Sequence, residues 1–334
     1  MYDTRPGLNS QRLVNLMRQA VKRCELQLDN LSVLTEAATG AYAVTPVVAA
    51  IAGAKKVFAF TRTTRYGTVE GVKALTQQLA EIAGLGDRIE FISEKTPDIV
   101  NQADIITNSG HLRPINAEMI GWMKPNAVIG LMYEAWEFRP EDVDLVSCRL
   151  KGIQVVGVNE RHPAVDVFSF LGIMAVKQLL DAGVSVYTSN LLLLCDNPFR
   201  QFIEHGLVQV GATVDSVDSL VAASIDKNYD AIIVALQPRI EPILTANDAA
   251  AIAKQWPGTL VAQYWGDIDR TAFIAQKIPL FPEIEPKPGH MGILPSAVGP
   301  EPIVRLQTGG LKAAEVIWRQ ANQQASGWEF VQLL

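Results

Sequence analysis

Residues 32–60 read SVLTEAATGAYAVTPVVAAIAGAKKVFAF, and the fold class follows from how that stretch alternates. Two short runs rich in β-branched and aromatic residues, Ser32–Glu36 and Lys56–Phe60, bracket a small-residue loop and a helix. Thr45 and Pro46 open that helix, with threonine as N-cap and proline at the first helical position, where its missing N–H costs nothing. The rhythm continues downstream. A helix is expected over 68–83 and ends at Gly84, and further helical stretches fall at 97–102, 116–123 and 140–149. Strands are expected over 88–92, 103–107, 127–132 and 154–158. Upstream, residues 8–29 space Leu13, Leu16, Met17, Ala20, Val21, Cys24 and Leu28 at close to helical period. Strands separated by helix-length crossovers define a parallel sheet with helices on both faces.

Beyond residue 163 a long apolar helix is expected over 164–182, and the alternation then restarts. Strands at 191–195, 212–217, 230–236, 259–264 and 279–281 alternate with helices at 198–205, 246–255 and 267–277, forming a second, smaller α/β unit. Residues 282–302 hold six prolines and three glycines and read as a long ordered loop, of the kind that serves as a lid. An amphipathic helix over 309–324 closes the chain. The expected division is a nucleotide-binding domain at 1–163, a linking helix at 164–183, a second domain at 184–300, and a tail at 301–334 that returns to the first. The fold class is thus a doubly wound parallel sheet of Rossmann type plus a second parallel α/β domain.

Length and composition agree. At about 150 residues per domain, 334 residues make two domains. A net charge of −6 excludes a general nucleic-acid surface, which needs clustered Lys and Arg. Cys24, Cys148 and Cys195 lie too far apart for a zinc motif, and no histidine pair has ligand spacing, so no metal is expected. The opening MYDTRPGLNSQ lacks a basic region followed by an apolar one, and the longest apolar run, 41–54, is too short to span a bilayer. A cytoplasmic homodimer with a small-molecule substrate is the expectation.

In open parallel sheets, ligands bind outside the carboxyl ends of the strands, where strand order reverses. The first such loop holds Ala38, Thr39, Gly40, Ala41, Tyr42 and Ala43. Ala38-x-Gly40-x-x-Ala43 fits the second and third positions of the G-x-G-x-x-G fingerprint and misses the first. It either admits a pyrophosphate, with free N–H groups of the helix at Pro46 beside it, or only packs a helix on a sheet. The second strand runs into Thr61-Arg62-Thr63-Thr64-Arg65, with no acid where an NAD site places one to hold the ribose. Two cations there favour a 2′-phosphate, hence NADP(H) over NAD(H); the alternative is an exposed basic loop. The turn resembles the N-R-T turn of NADP-dependent shikimate-dehydrogenase-like folds.

Residues 103–134, ADIITNSGHLRPINAEMIGWMKPNAVIGLMYE, resemble the second half of the Rossmann domain in S-adenosylhomocysteine hydrolase and 2-hydroxyacid dehydrogenases. The resemblance extends over roughly residues 30–160. It implies a nicotinamide cofactor lying across Asn108, Ser109, Gly110 and the end of strand 127–132, with His111 and Glu134 also expected to bind it, and carries over neither family's catalytic residues. A rival resemblance runs through VLTEAATGAYAVTPVVAAIAGAKKVFAFT and GLGDRIEFI, which are similar to the front half of class I S-adenosylmethionine methyltransferases.

For proton transfer the candidates are His290 in the long loop and His162 beside Glu160, since histidine titrates nearest neutrality. In the second domain Asp196 and Asn197 either cap a helix or face a substrate. Tyr264 suits stacking on a planar ring, and Lys287 suits an anion. The combined reading is an NADP(H)-dependent oxidoreductase acting on a small polar substrate in an interdomain cleft. A methyltransferase is the enzyme alternative, and a non-catalytic nucleotide sensor the alternative of a different class.

Overall fold

The first two strands form where their β-branched runs place them. In the computed structural model, which describes residues 5–320 and 327–334, β1 is Ser32–Glu36 and β2 is Lys56–Phe60. They are followed by β3 (Ile89–Ile92), β4 (Ile105–Thr107), β5 (Val128–Gly130) and β6 (Gln154–Val158). The helices between them are α1 (Ser10–Arg23), α2 (Thr45–Ile51), α3 (Val69–Ala83), α4 (Pro97–Val100), α5 (Ala117–Trp122) and α6 (Leu145–Lys151). The second unit contains α7 (Ser169–Asp181), β7 (Asn190–Leu194), α8 (Arg200–Gln209), β8 (Thr213–Val217) and β9 (Ala231–Ala235). After them come α9 (Ala246–Gln255), β10 (Leu260–Trp265), α10 (Arg270–Ala275) and β11 (Leu280–Phe281). Helix α11 (Glu301–Gln320) and β12 (Val331–Leu333) finish the chain.

Seven strands form the first sheet, in the order β3-β2-β1-β4-β5-β6-β12. All pairs are parallel except β12 on β6. This is the 3-2-1-4-5-6 order of dinucleotide-binding folds with an antiparallel strand added at one rim. Strand order reverses between β1 and β4, and Leu34 of β1 pairs with both Phe58 and Ile106. Alternation then sorts the strands' side chains: Val33, Val57, Ile105 and Val128 face one core, Leu34, Phe58, Ile106 and Ile129 the other. The chain divides into Met1–Val167 with Gly299–Leu334, and Phe168–Val298, so the long helix α7 belongs to the second unit.

Several boundaries differ from the sequence expectation, each for a local reason. Helix α1 stops at Arg23, because Glu25 takes a left-handed backbone (φ 49) and the buried Leu26 and Leu28 continue in non-helical chain. The last helix starts at Glu301, eight residues before the expected 309 (309 − 301 = 8), since Pro302 falls in its first turn, where proline is tolerated. Its expected end, 321–324, lies outside the described residues. Gly309 and Gly310 lie inside this helix and let it approach the end of β5: a Cβ on Gly310 would stand 2.5 Å from the methyl of Met132. Nothing in the local sequence announces strand β12.

The second sheet is wholly parallel, in the order β11-β10-β9-β7-β8. Renumbered from its own first strand this is 2-1-3-4-5, another doubly wound order. Helices α7 and α8 touch backbone to backbone at Gly172 and Gly206. A Cβ on Gly172 would lie 2.6 Å from Gly206 Cα and 2.7 Å from the Phe202 carbonyl oxygen. Gly172→Ala is expected to destabilise this unit by about 2–3 kcal/mol through overpacking, read as a lower urea midpoint at unchanged slope. Among the described residues no helix is long and apolar enough to cross a membrane.

Candidate functional site

Register places Glu36, Thr61, Asn108, Glu134 and Glu160 at successive carboxyl ends of β1, β2, β4, β5 and β6. Two of these ends, those of β2 and β4, carry buried polar atoms with no hydrogen-bond partner: Thr61 Oγ1 after β2, and Asn108 Nδ2 and His111 Nδ1 after β4. Thr61 and Asn108 are each 1% exposed. Buried donors and acceptors are normally paired, so unpaired ones on both sides of the strand reversal mark a place built for something polar. Asn108 is held by its other end, where Oδ1 accepts from Met132 N at 2.8 Å. Ser109 ends a line of buried hydroxyls, Thr35 to Thr107 at 2.8 Å and Thr107 to Ser109 at 2.7 Å.

Glu36, which sequence reasoning passed over, anchors the loop after β4. Its Oε2 accepts from His111 N at 2.7 Å and stands 3.9 Å from His111 Nδ1. Gly110 lies against it, with a Cβ there placed 3.6 Å from Glu36 Oε2. The signal in the sequence was an acid closing a strand whose other residues carry no charge, beside no cation that would pair with it locally.

The fingerprint loop closes on itself, with Ala38 N donating to the Tyr42 carbonyl and Tyr42 N to that of Thr39. Gly40 takes φ +60 with open space above it, and its turn leaves the amides of residues 39–41 unused; Ala41 is buried. The first turn of α2 is not the free N-terminus expected. Thr45, Pro46 and Val47 are buried, and Thr45 Oγ1 donates to Gln307 of α11 at 2.9 Å. Beyond β2, Arg62, Thr63 and Arg65 are exposed, Arg65 lies over the Tyr66 ring, and Thr39 packs on Gly67, so the loops after β1 and β2 touch.

Glu134 turns inward instead of bordering a ligand. It is fully buried and accepts from Glu160 N (3.0 Å), Arg161 Nε (3.2 Å) and Trp136 Nε1. Burial, followed by the charges of Glu137 and Glu134, drives the Glu160 carboxyl well above its ordinary range. Burial also raises the Glu137 carboxyl from 4.5 to about 7. The Glu137 carboxyl keeps a proton in the fold that the unfolded chain releases, so its contribution is complete below pH 4.5 and lost as pH rises through about 7. Glu137→Gln is expected to gain stability over wild type across that window, measured as the difference in urea midpoints at its two ends. A midpoint difference that does not change with pH would contradict the assignment. His162 has its Nδ1 occupied by Ala164 N (3.1 Å) and stacks on Phe330; burial lowers its pKa.

In the second unit, Asp196 and Asn197 tie their own strand ends together: Asp196 accepts from Gln237 N (2.8 Å), and Asn197 donates to the Ala235 carbonyl (2.7 Å). Tyr264 is fully buried with its hydroxyl on the Leu171 carbonyl (3.0 Å), a core position instead of a stacking platform. Lys287 and His290 are exposed. Their loop is pinned to β10 by Gly292 N on the Tyr264 carbonyl and by Asp267 accepting from Gly289 N.

Cys24, Cys148 and Cys195 are buried free thiols, each pushed by burial to about 11. Among the described residues no group of acids, histidines and cysteines is arranged to hold a metal. A cleft of about 490 Å³ between Asp29, Gly53, Lys55 and Arg88 lies at the opposite, amino end of β1, β2 and β3.

Sheet order and the polar strand ends define a two-domain α/β protein of Rossmann type. No protein-family model matches the chain, and no curated protein matches it. Solved structures do. A dipicolinate synthase subunit from Bacillus halodurans aligns with 84% of this chain and 96% of its own at 13% identity and TM-score 0.55. Its counterpart from Bacillus subtilis, also a dipicolinate synthase, aligns over 90% and 98% at 12% identity and TM-score 0.52. A D-lactate dehydrogenase from Treponema pallidum aligns over 91% and 100% at 11% identity and TM-score 0.52. At these identities the likeness is one of fold, and at that level the resemblance read from residues 103–134 holds.

Proposed function

We propose that the first unit binds a nicotinamide dinucleotide, NADP(H) in preference to NAD(H), and that the protein is an oxidoreductase acting on a small polar carbonyl, hydroxyl or amine compound. The observation that carries this reading is the set of buried, unpartnered polar atoms, Thr61 Oγ1, Asn108 Nδ2 and His111 Nδ1, flanking the strand reversal. The residues present fit the cofactor. Residues 39–41 offer unused amides under the open face of Gly40 for a pyrophosphate. Arg62 and Arg65 stand exposed where a 2′-phosphate would lie, with no acid at the end of β2 to repel it. Asn108 and Ser109 end the first strand of the other half of the sheet, which takes the nicotinamide nucleotide in this fold class.

When bound, the nicotinamide supplies or accepts a hydride. This chain's own part is to bind, orient and exchange a proton. His111, in the loop after β4, is set in place by its backbone bond to Glu36 and is proposed to hold that proton. Lys287 and His290, exposed in the second unit, remain the proposed groups on the substrate side.

The test is loss of nicotinamide absorbance when NADPH meets a panel of 2-oxo acids, aldehydes and imines. Turnover that disappears in His111→Asn while NADPH binding persists supports the reading. Tight NADPH binding with no turnover on any compound favours the sensor, and binding of S-adenosylmethionine alone favours the methyltransferase.

A further inference from the structure

Three cations, Arg62, Arg65 and Lys95, gather at the carboxyl ends of β2 and β3, and none makes an ion pair among the described residues. Arg65 contacts only the Tyr66 hydroxyl and ring, and Lys95 donates to a neutral carbonyl, that of Leu112, at 3.0 Å. Lys95 is half-buried, with its ammonium 5.9 Å from the centre of the Phe60 ring. An ammonium has three N–H donors, so two remain after the Leu112 bond. Burial and then the charge of Arg62 depress the Lys95 pKa, as expected of a cation lacking its anion. Thr61, the residue that joins β2 to Arg62, contributes the independent sign of a ligand: a buried hydroxyl, 1% exposed, with no partner.

We infer that Lys95 is a third ligand for a phosphate monoester bound at the ends of β2 and β3, and that its bond to Leu112 links that phosphate to the loop 108–113. The identity of the monoester as a 2′-phosphate rests on the dinucleotide reading above; the lysine's role does not. Arg62 and Arg65 supply planar forks to phosphate oxygens, while Lys95 supplies a point charge fixed at its far side. The loop it holds carries Asn108 and His111, each with a buried polar atom that makes no hydrogen bond. Phosphate at one end of the crevice therefore steadies the groups at the other.

Lys95→Met preserves the packing on Phe60 and removes the charge; Lys95→Arg preserves the charge. The probes are 2′,5′-ADP, 5′-ADP, NADPH, NADH and inorganic phosphate, titrated calorimetrically into the full chain. Lys95→Met is expected to weaken 2′,5′-ADP and NADPH by about 10- to 100-fold while leaving 5′-ADP and NADH unchanged, with Lys95→Arg restoring most of the loss. In hydrogen exchange, 2′,5′-ADP is expected to protect residues 108–113 in wild type and not in Lys95→Met. If wild type binds 2′,5′-ADP through Lys95 but does not bind NADPH, the lysine's role stands and the dinucleotide reading fails. If inorganic phosphate binds as tightly as 2′,5′-ADP and is lost with Lys95→Met, the site takes the free ion, which overturns the monoester. Equal weakening of NADPH and NADH, unchanged 2′,5′-ADP binding in Lys95→Met, or no binding of any phosphate to wild type would each overturn the inference.

Discussion

Glu315→Ala is expected to lower stability by about 3–5 kcal/mol, the size of effect seen when one partner of a buried ion pair is removed. Glu315 is 2% exposed and sits in the last third of α11. Its carboxylate accepts from Lys312 Nζ (3.0 Å), Gln27 N (3.1 Å) and Arg319 Nε (2.7 Å). Lys312, 7% exposed, also donates to the Glu25 carbonyl, and Arg319 to that of Gln27. The cluster therefore clamps the C-terminal helix to the chain segment that leads into β1. Alanine would leave the Lys312 ammonium buried with one carbonyl for company. Changing both residues, Lys312→Met with Glu315→Leu, removes the orphaned charge and is expected to recover most of the loss. Urea unfolding of the single and double variants checks this, and additive losses would contradict it.

Arg62→Ala with Arg65→Ala is expected to weaken NADPH binding by roughly 100- to 1,000-fold, or about 3–4 kcal/mol, with NADH affinity little changed. Each guanidinium offers charge-assisted bonds to a doubly charged phosphate. Both side chains are exposed, and the contact Arg65 makes is with its exposed neighbour Tyr66, so the fold should be untouched and the loss should fall with added salt. Equal weakening of both dinucleotides would assign the arginines to something other than the 2′-phosphate.

Legibility in the sequence followed the range of the interactions. β1, β2 and β6 were readable to the residue because each is a short β-branched run between turn signals. The place of Arg62 and Arg65 just beyond β2 was readable because a strand's end is a local property of the strand. Glu36 and Lys95 were not, since their partners, His111 and Leu112, lie in a loop from a different strand. Tyr264 misled for the same reason: a tyrosine at a strand end looks available until Leu171, far away in sequence, takes its hydroxyl. The start of α11 was hidden by prolines, which mark a loop in composition but are harmless in a helix's first turn. The burial of α2's first turn under Gln307 of that helix could not be foreseen until the helix itself was placed.

The strand ends at Thr61, Asn108 and His111 are proposed to take a nicotinamide dinucleotide carrying a 2′-phosphate. Calorimetric titration of the intact protein with NADPH, NADH and S-adenosylmethionine tests it most directly. One NADPH is expected per chain, bound on the order of 10-fold or more tighter than NADH. Absence of NADPH binding, or binding of S-adenosylmethionine in its place, would contradict it.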